Sequence, residues 1–317
     1  MKTETEFKSE DYSHCLFRIP EAGGRALWEI TNSCNYSCPY CIFSARKGNI
    51  EGELTTDECF ELIKGLKRNG FTHLKITGGE PFRRKDMAEI LEKASELEFI
   101  VDISTNASYI NKDIAGKIGK LGLQMVHVSL DGHNKEIHEN ARGPNTYKPT
   151  VNGIENLVKN DVYVRLGTVI FKGNEDYIEE TVQYASKLGA KEIIFSYMEP
   201  VGRMKDDYQM ISTKDMPYLK KELDKLAVKY KDKVRVSYSF TEHAACEQGI
   251  CPAVDKFVYI DNLGRISPCT WVVEKFPEYR STLTLKDAGF EEVIDSKPIC
   301  NFLNYVENKK GCPVRRR

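Results

Sequence analysis

The sequence predicts an α/β protein in which a partial (β/α)6 TIM-like barrel precedes a small C-terminal unit. Between residues 26 and 230, short β-rich runs alternate with amphipathic helical stretches, which is typical of parallel sheets built from βα units. Each β-rich run is followed by glycine, polar or metal-binding residues, and in parallel barrels the chemistry collects at the carboxyl ends of the strands. After residue 231 the alternation stops, and Asn262-Leu263-Gly264 signals a hairpin.

Six candidate strands and six candidate helices make up the predicted barrel. The strands are residues 26–31, 72–77, 100–105, 124–130, 162–170 and 191–197. The helices lie near 57–69, 86–98, 111–120, 148–160, 175–188 and 214–230. Right-handed crossovers would curl such a sheet toward a barrel. We therefore expect an N-terminal extension at 1–24, a barrel at 25–232 and a C-terminal domain at 233–317.

Composition and charge exclude several classes of protein. The 317 residues are 41% hydrophobic and 29% charged, with a formal net charge of -1, so no overall basic field recruits nucleic acid. The terminal run Arg315 to Arg317 is interpreted as a solvated tail. No window approaches the roughly 18 apolar residues of a membrane span, and the N-terminus has no continuous apolar core. We expect a cytoplasmic protein that needs no membrane partner.

The cysteines form two groups at the ends of a cysteine-free body. Of ten cysteines, three lie between residues 34 and 41 and five lie between residues 246 and 312. Only Cys15 and Cys59 stand apart, and Cys59 falls on a helical face where it is expected to pack in the core. In a reducing compartment such cysteines are metal ligands or catalytic thiols more often than disulfides.

The first group, Cys34, Cys38 and Cys41, has no fourth cysteine nearby. Three thiolates on a four-iron cluster leave one iron without a protein ligand, and an open position can bind a small chelating molecule. A zinc site completed by a distant histidine such as His14 is an alternative. A ferredoxin-like carrier is another, but it would need a further cysteine near Cys41.

The CxxxCxxC spacing, followed by Gly78-Gly79-Glu80-Pro81 at the next strand end, closely resembles the radical S-adenosylmethionine (SAM) enzymes. The resemblance covers residues 26 to about 205. It implies a [4Fe-4S] cluster whose open iron chelates the amino and carboxylate groups of SAM. One electron then cleaves the sulfonium to a 5′-deoxyadenosyl radical. A reductase or flavodoxin-type electron donor is implied as a partner.

The resemblance also assigns residues that would bind SAM. Tyr40 matches the aromatic position that packs on the adenine, although it could equally pack within the loop. Gly78 and Gly79 allow close approach of the backbone. Glu80 and Pro81 complete the motif that receives the SAM amino group.

Further matches follow the third and fourth strands. Ser104 and Asn106 match positions that contact the carboxylate or ribose of SAM. Ser129 and Asp131 match a ribose-side or substrate-side edge, and either pair could instead cap the next helix.

The segment after the fourth strand carries one further assigned side chain. Arg142 lies where the family has an arginine near the SAM carboxylate or the substrate. His133 and His138, on the same predicted loop, are interpreted as surface residues rather than bases.

The second cysteine group resembles the SPASM and Twitch extensions of radical SAM enzymes. A hairpin brings Cys251 and Cys269 together, and Cys300 and Cys312 are available to complete a site. The resemblance implies a small C-terminal iron–sulfur (Twitch/SPASM-like) domain with one auxiliary [4Fe-4S] cluster. Cys246 is left over, and it could be a ligand, an inert buried thiol or a catalytic hydrogen-atom donor. As a donor it would quench the substrate radical and give an epimer.

The predicted reaction is abstraction of a hydrogen atom from an unactivated C–H bond, with SAM and two clusters as cofactors. The resemblance favours epimerisation, oxidation or cross-linking of a ribosomal peptide. Only about 25 residues precede the barrel, too few for a separate leader-peptide-binding domain. The alternatives are a sugar or aminocyclitol dehydrogenase or epimerase acting on a small-molecule substrate, a cyclase of cofactor biosynthesis, and a non-catalytic electron carrier.

Overall fold

A nine-stranded, mainly parallel sheet forms the centre of the molecule. The structure is a computed structural model that describes residues 23–198, 202–204, 210–212, 214–239 and 257–309. Its strand order is β7-β6-β5-β4-β3-β2-β1-β8-β9. The strands are β1 Gly24–Glu29, β2 Phe71–Thr77, β3 Ile100–Thr105, β4 Met125–Ser129, β5 Val164–Ile170, β6 Glu192–Tyr197, β7 Arg235–Ser239, β8 Phe257–Ile260 and β9 Ile266–Ser267. The first eight strands run parallel to their neighbours, and β9 runs antiparallel to β8. The predicted α/β fold with a parallel, barrel-like sheet is confirmed.

Helices connect the parallel strands, as right-handed crossovers require. They are α1 Thr56–Arg68, α2 Met87–Glu96, α3 Lys112–Leu121, α4 Lys135–Arg142, α5 Tyr147–Lys159, α6 Ile178–Leu188, α7 Met216–Lys229, α8 Thr270–Lys275, α9 Phe290–Ile294 and α10 Lys297–Lys309. Short 3-10 turns lie at Pro81–Arg83, Glu175–Tyr177 and Pro277–Tyr279. Within the part of the chain described above, none of these helices has the length and apolar character of a bilayer-spanning segment.

Helix α1 shows how local signals set the elements that cover the sheet. The Thr55 side chain accepts the Glu58 N–H and the Glu58 side chain accepts the Thr55 N–H, a capping box that fixes the start of the helix. Its apolar face is buried in the main core. Cys59 is fully buried on that face, which confirms the prediction that it packs in the core.

Helix α4 departs from the sequence prediction, which had a loop there. Asn134 caps it by accepting the Ile137 N–H at 3.0 Å. His138 is therefore helical and fully buried, so its assignment to the surface is wrong. Burial lowers the pKa of His138 to about 4, with Arg142 adding to the effect. The segment KEIHENAR is short and mostly polar, so it lacks the long apolar stripe by which a helix is usually recognised.

Both edges of the sheet use strands from beyond residue 232. Strand β7 pairs with β6, and β8 pairs with β1, so these segments extend the barrel sheet. The hairpin at Asn262-Leu263-Gly264 is confirmed: β8 and β9 pair antiparallel, and Gly264 has φ +79°. The division of the chain at residues 24/25 and 232/233 stays a prediction.

Candidate functional site

A cavity of about 280 Å³ opens at the carboxyl ends of strands β1 to β6. This is the edge at which the sequence places the chemistry. Of the predicted site residues, the cavity is lined by Cys34, Cys38, Tyr40, Cys41, Gly78, Gly79, Ser104, Asn106, Ser129 and Arg142. The structure therefore brings together residues that are up to about a hundred positions apart in the chain.

The three cysteines occupy one loop after β1, which is held by backbone hydrogen bonds within the loop and by the side chain of Arg203. The Cys34 N–H donates to the carbonyl of Arg46 at 2.8 Å, and the Cys41 N–H donates to the carbonyl of Cys38 at 3.3 Å. Arg203 donates from Nη1 to the Cys38 carbonyl at 2.7 Å. None of the three sulfurs is in a disulfide, so no such bond prevents these thiols from acting as ligands.

Each of the three sulfurs also accepts a hydrogen bond. The Tyr36 N–H lies 3.4 Å from Cys34 Sγ, and the Ala45 N–H lies 3.4 Å from Cys41 Sγ. Arg142 Nη1 is 3.9 Å from the Sγ of Cys38, a weaker contact. Donors aimed at sulfur stabilise cluster thiolates and tune their potential, so the donor set fits an iron–sulfur cluster.

In the metal-free protein, burial favours the protonated form of two of these thiols. Burial raises the pKa of Cys34 to about 11 and also raises the pKa of Cys38, although the positive charge of Arg142 partly opposes the second shift. Both thiols are then neutral at physiological pH. A bound iron would displace their protons, because a metal cation deprotonates a coordinating thiol outright.

The two glycines after β2 bring the backbone against the cysteine loop. A Cβ on Gly78, which has φ +142°, would lie 2.3 Å from the carbonyl oxygen of Thr31. A Cβ on Gly79 would lie 2.2 Å from the carbonyl oxygen of Ser33. The Gly79 N–H donates to the Thr31 carbonyl at 2.7 Å. Only glycine allows this close approach, which sets the height of the cysteine loop over the sheet.

Replacing Gly79 with alanine should therefore shift the cysteine loop. We expect the free energy of unfolding to fall by about 1–3 kcal/mol through overpacking, and SAM affinity to fall with it. Gly116→Ala is the matched control, because its Cβ would meet only Asn160 Oδ1 at 3.7 Å and alanine favours a helix by up to about 1 kcal/mol. Urea unfolding measures the change in the free energy of unfolding, and equilibrium binding measures the change in SAM affinity. Equal behaviour of the two variants would show that the close approach is not needed.

Glu80 is buried beneath the cavity rather than among its lining residues. Its carboxylate accepts Thr105 Oγ1 at 2.7 Å and the Asn106 N–H at 2.7 Å. Burial raises the pKa of Glu80 to about 7, against these hydrogen bonds, which favour the carboxylate. Glu80 thus ties the end of β3 to the glycine turn. Pro81, also behind the lining, begins the 3-10 turn that follows.

Asp131 likewise lies behind the cavity and orients two lining residues. It is fully buried; its Oδ2 accepts the Tyr40 hydroxyl and, at 2.5 Å, Arg142 Nε. The Arg142 guanidinium lies 5.7 Å from the centre of the Tyr40 ring, a cation–π contact. Tyr40, Asp131 and Arg142, each predicted separately as a contact of SAM or the substrate, thus form one connected group beside Cys38.

The other predicted polar residues lie on the strand ends. Ser104 and Ser129 line the cavity and are partly buried. Asn106 donates from Nδ2 to Asn35 Oδ1 at 3.0 Å and toward Cys34 Sγ at 3.9 Å.

Sequence reasoning missed several lining residues, which are Tyr36, Ile42, Phe43, Thr77, Thr105, Val169, Ser196, Tyr197 and Met198. Ser196 and Tyr197 are the last residues of the sixth strand, so the strand-end rule could have identified them, whereas the sequence prediction pointed to the residues that follow the strand. The remaining side chains follow no motif that sequence alone would single out.

The second cysteine group is only partly described. Cys269 immediately precedes α8 and is not disulfide-bonded. Cys300 lies in α10, where it is buried and disulfide-bonded to a partner outside the described residues. Cys246, Cys251 and Cys312, like Cys15, lie outside the described residues.

Three comparisons place the chain among known proteins. Residues 28–185 match the model of the Radical SAM superfamily. The AdoMet-dependent heme synthase of Methanosarcina barkeri is 28% identical over 306 residues, covering 90% of this chain and 85% of that protein. The mycofactocin maturase MftC of Mycolicibacterium smegmatis is 26% identical over 293 residues, covering 90% and 73%.

Among solved structures, Streptococcus suis SuiB bound to precursor peptide SuiA matches with a TM-score of 0.73. The identity is 16%, over 88% of this chain and 66% of SuiB, so this likeness shows the fold alone. Family match and fold agree with the resemblance carried by the cysteine and glycine motifs. The chain therefore contains a domain of the radical SAM superfamily, at residues 28–185.

Proposed function

We propose that this protein reductively cleaves SAM and abstracts a hydrogen atom from an unactivated C–H bond of a ribosomally made peptide. The observation that carries the proposal is the set of three thiols in one cavity. None of Cys34, Cys38 and Cys41 forms a disulfide, and the sulfur of each accepts a hydrogen bond. When bound at these thiols, a [4Fe-4S] cluster with one open iron would supply the electron and hold SAM.

The chain itself would bind and orient SAM. Gly78 and Gly79 keep the backbone close, and Glu80 and Pro81 hold the turn beneath them. Tyr40 would pack on the adenine. Ser104, Asn106 and Ser129 would contact the ribose or carboxylate, with Arg142 placed for the carboxylate by Asp131.

The choice of a peptide rests on the relatives. The mycofactocin maturase is similar over most of both chains, and the SuiB structure of the same fold holds a precursor peptide. Epimerisation, oxidation and cross-linking remain the candidate outcomes.

The direct test is anaerobic reconstitution with iron and sulfide, followed by SAM, dithionite and a deuterated peptide encoded beside this gene. We expect 5′-deoxyadenosine that carries deuterium from the peptide. Omitting dithionite is the control, since the cleavage is reductive. If 5′-deoxyadenosine forms but takes no deuterium from any such peptide, the peptide assignment fails while SAM cleavage stands.

A role in heme synthesis is the second candidate. It is supported by the AdoMet-dependent heme synthase, which is similar over 85% of its own length. Extracts of a strain that lacks this gene distinguish a role in heme synthesis from peptide modification. Loss of heme that the intact gene restores favours this candidate, whereas unchanged heme with loss of a modified peptide favours the first.

We further propose a SPASM or Twitch-type auxiliary [4Fe-4S] cluster bound by Cys251, Cys269, Cys300 and Cys312. Cluster ligands are thiolates, so the disulfide at Cys300 would have to be reduced before iron binds. Cys246 would be the hydrogen-atom donor or a further ligand. In the cytoplasm, glutathione and thioredoxin would keep such thiols reduced, and a reductase or flavodoxin-type protein would donate the electron for SAM cleavage.

Iron content tests this second cluster. The reconstituted protein should carry about eight irons, since each cubane has four. Replacing Cys251 and Cys269 with alanine should remove about four irons and leave the first cluster. An unchanged count would exclude an auxiliary cluster at these residues.

A further inference from the structure

A second cavity, of about 300 Å³, lies beside the first. Ile42 and Phe43 line both cavities, so the end of the cysteine loop forms a wall that the two cavities share. The other walls come from the end of β1, the β8–β9 hairpin and the start of α8. Phe43 stacks on Tyr259 with ring centres 6.5 Å apart, which makes the shared wall aromatic. A molecule here would lie next to the predicted SAM cavity.

Two arginines and one aspartate give one wall of this cavity a positive charge. Arg265 Nε donates to Asp261 Oδ2 at 2.7 Å, while Arg280 Nη1 lies 3.8 Å from the same oxygen. The other carboxylate oxygen of Asp261 is also hydrogen-bonded, because Oδ1 accepts two backbone N–H groups of the turn. Within the described residues, the side chain of Arg280 forms this one ion pair and donates no hydrogen bond, although its backbone N–H donates to the Pro277 carbonyl. Two guanidinium groups thus share one carboxylate.

Glu29 also lines this cavity and is almost fully buried, with 4% of its surface exposed. Asn32 Nδ2 donates to its Oε1 at 2.8 Å, and the Tyr259 hydroxyl donates to its Oε2. Burial, helped by the nearby carboxylates Asp261 and Glu53, raises the pKa of Glu29 to about 7, against those two hydrogen bonds. Glu29 is therefore protonated for much of the time at neutral pH.

The charges on the walls point to a single anionic group as the ligand. With Glu29 protonated, Arg265, Arg280 and Asp261 sum to one positive charge. Burial and the neighbouring Arg265 lower the pKa of Arg280, so an added anion would stabilise the guanidinium. Guanidinium groups pair with carboxylates through two parallel hydrogen bonds. A carboxylate carries one negative charge, which would balance the net positive charge of this wall.

We propose that the second cavity holds a carboxylate group of the substrate, with Arg265 and Arg280 as its anion-binding side chains. In a peptide this group is an acidic side chain or the C-terminus. Glu29, which lines the same cavity, controls occupancy: its neutral form leaves the positive charge available, and its ionised form repels the carboxylate. That the bound molecule is the substrate rests on the proposed function, whereas binding of the carboxylate does not depend on SAM cleavage.

The test measures binding to the reconstituted, SAM-loaded protein without reductant, so it is independent of catalysis. The probes are N-acetyl-L-glutamate and its neutral analogue N-acetyl-L-glutamine, titrated by ligand-observed NMR. We expect the acid to bind at least about tenfold more tightly, the difference made by one charge-assisted hydrogen bond. Equal binding of the two probes, or no binding of either, overturns the proposal. Tighter binding of inorganic phosphate overturns the assignment to a carboxylate.

Variants locate the bound probe. Arg280→Gln should weaken binding of the acid about tenfold, whereas Arg68→Gln, which removes an exposed pair with Glu291, should have no effect. If Arg280→Gln does not fold, Arg280→Lys keeps the charge, loses the fork and should weaken binding less. A matched effect of the Arg68 and Arg280 variants contradicts the site.

The pH dependence of probe binding tests the role of Glu29. Because its ionised form repels the ligand, affinity for N-acetyl-L-glutamate should fall as pH rises from 6 to 8, through the pKa of about 7. In Glu29→Gln, which cannot ionise, the affinity should stay constant over that range. The same fall in both proteins would remove Glu29 from the proposal. If the probe binds as described but no 5′-deoxyadenosine forms, the site stands and the proposed function fails.

Discussion

Replacement of Cys34, Cys38 and Cys41 by alanine should abolish reductive cleavage of SAM and remove about four irons per chain, since a cubane cluster has four irons. The physical reason is that thiolates are the ligands iron–sulfur clusters require, and this loop carries three thiols in one cavity. Formation of 5′-deoxyadenosine should fall to the level of the reaction without protein. Anaerobic reconstitution, iron analysis and chromatography of the nucleoside make the measurement.

The control for this variant is a cysteine outside the cavity. Cys59 is fully buried in α1, and burial raises its pKa to about 12, so it is an inert thiol. Cys59→Ala should keep the iron and the cleavage, at a modest cost in stability. A triple variant that still cleaves SAM would show that the cluster is bound elsewhere.

Local patterns were sufficient to predict the first six strands of the sheet and the cysteine loop, but not that β7, β8 and β9 extend the same sheet. Strand β3 lies where alternation predicts it, at Ile100–Thr105, whereas β1 begins two residues earlier, at Gly24. The strand-end rule then locates Cys34, Gly79 and Asn106 at one cavity, because the carboxyl ends of parallel strands share one edge. These successes use information within a few residues of each strand.

Contacts between distant residues could not be predicted in this way. Glu29 meets Tyr259 across 230 positions, and no local period links a strand-end acid to a hairpin tyrosine. Similarly, Asp131 and Glu80 were predicted as ligand contacts from their motifs. The structure shows their carboxylates bonded to protein groups, Arg142 for one and Thr105 for the other. Motifs identify the residues of a site, but burial and pairing decide which of them face the ligand.

The buried pair of Asp131 and Arg142 should make the largest single contribution to the stability of the site. Asp131 is 0% exposed and the Arg142 side chain 11%, with 2.5 Å between Oδ2 and Nε. Asp131→Asn keeps the shape but leaves the guanidinium buried without a countercharge. We expect the free energy of unfolding to fall by about 3–5 kcal/mol, as for other buried pairs that lose one partner.

The matched control is Glu61→Gln, which breaks an exposed pair with Lys64 in which the two side chains are 65% and 45% exposed. Exposed pairs contribute up to about 1 kcal/mol, so this variant should unfold close to wild type. Anaerobic urea unfolding followed by circular dichroism gives both values. Asp131→Asn should also weaken SAM binding, because Arg142 and Tyr40 lose the oxygen that orients them. If Asp131→Asn is as stable as Glu61→Gln, the pair contributes no more than a surface contact and Arg142 is oriented by other groups.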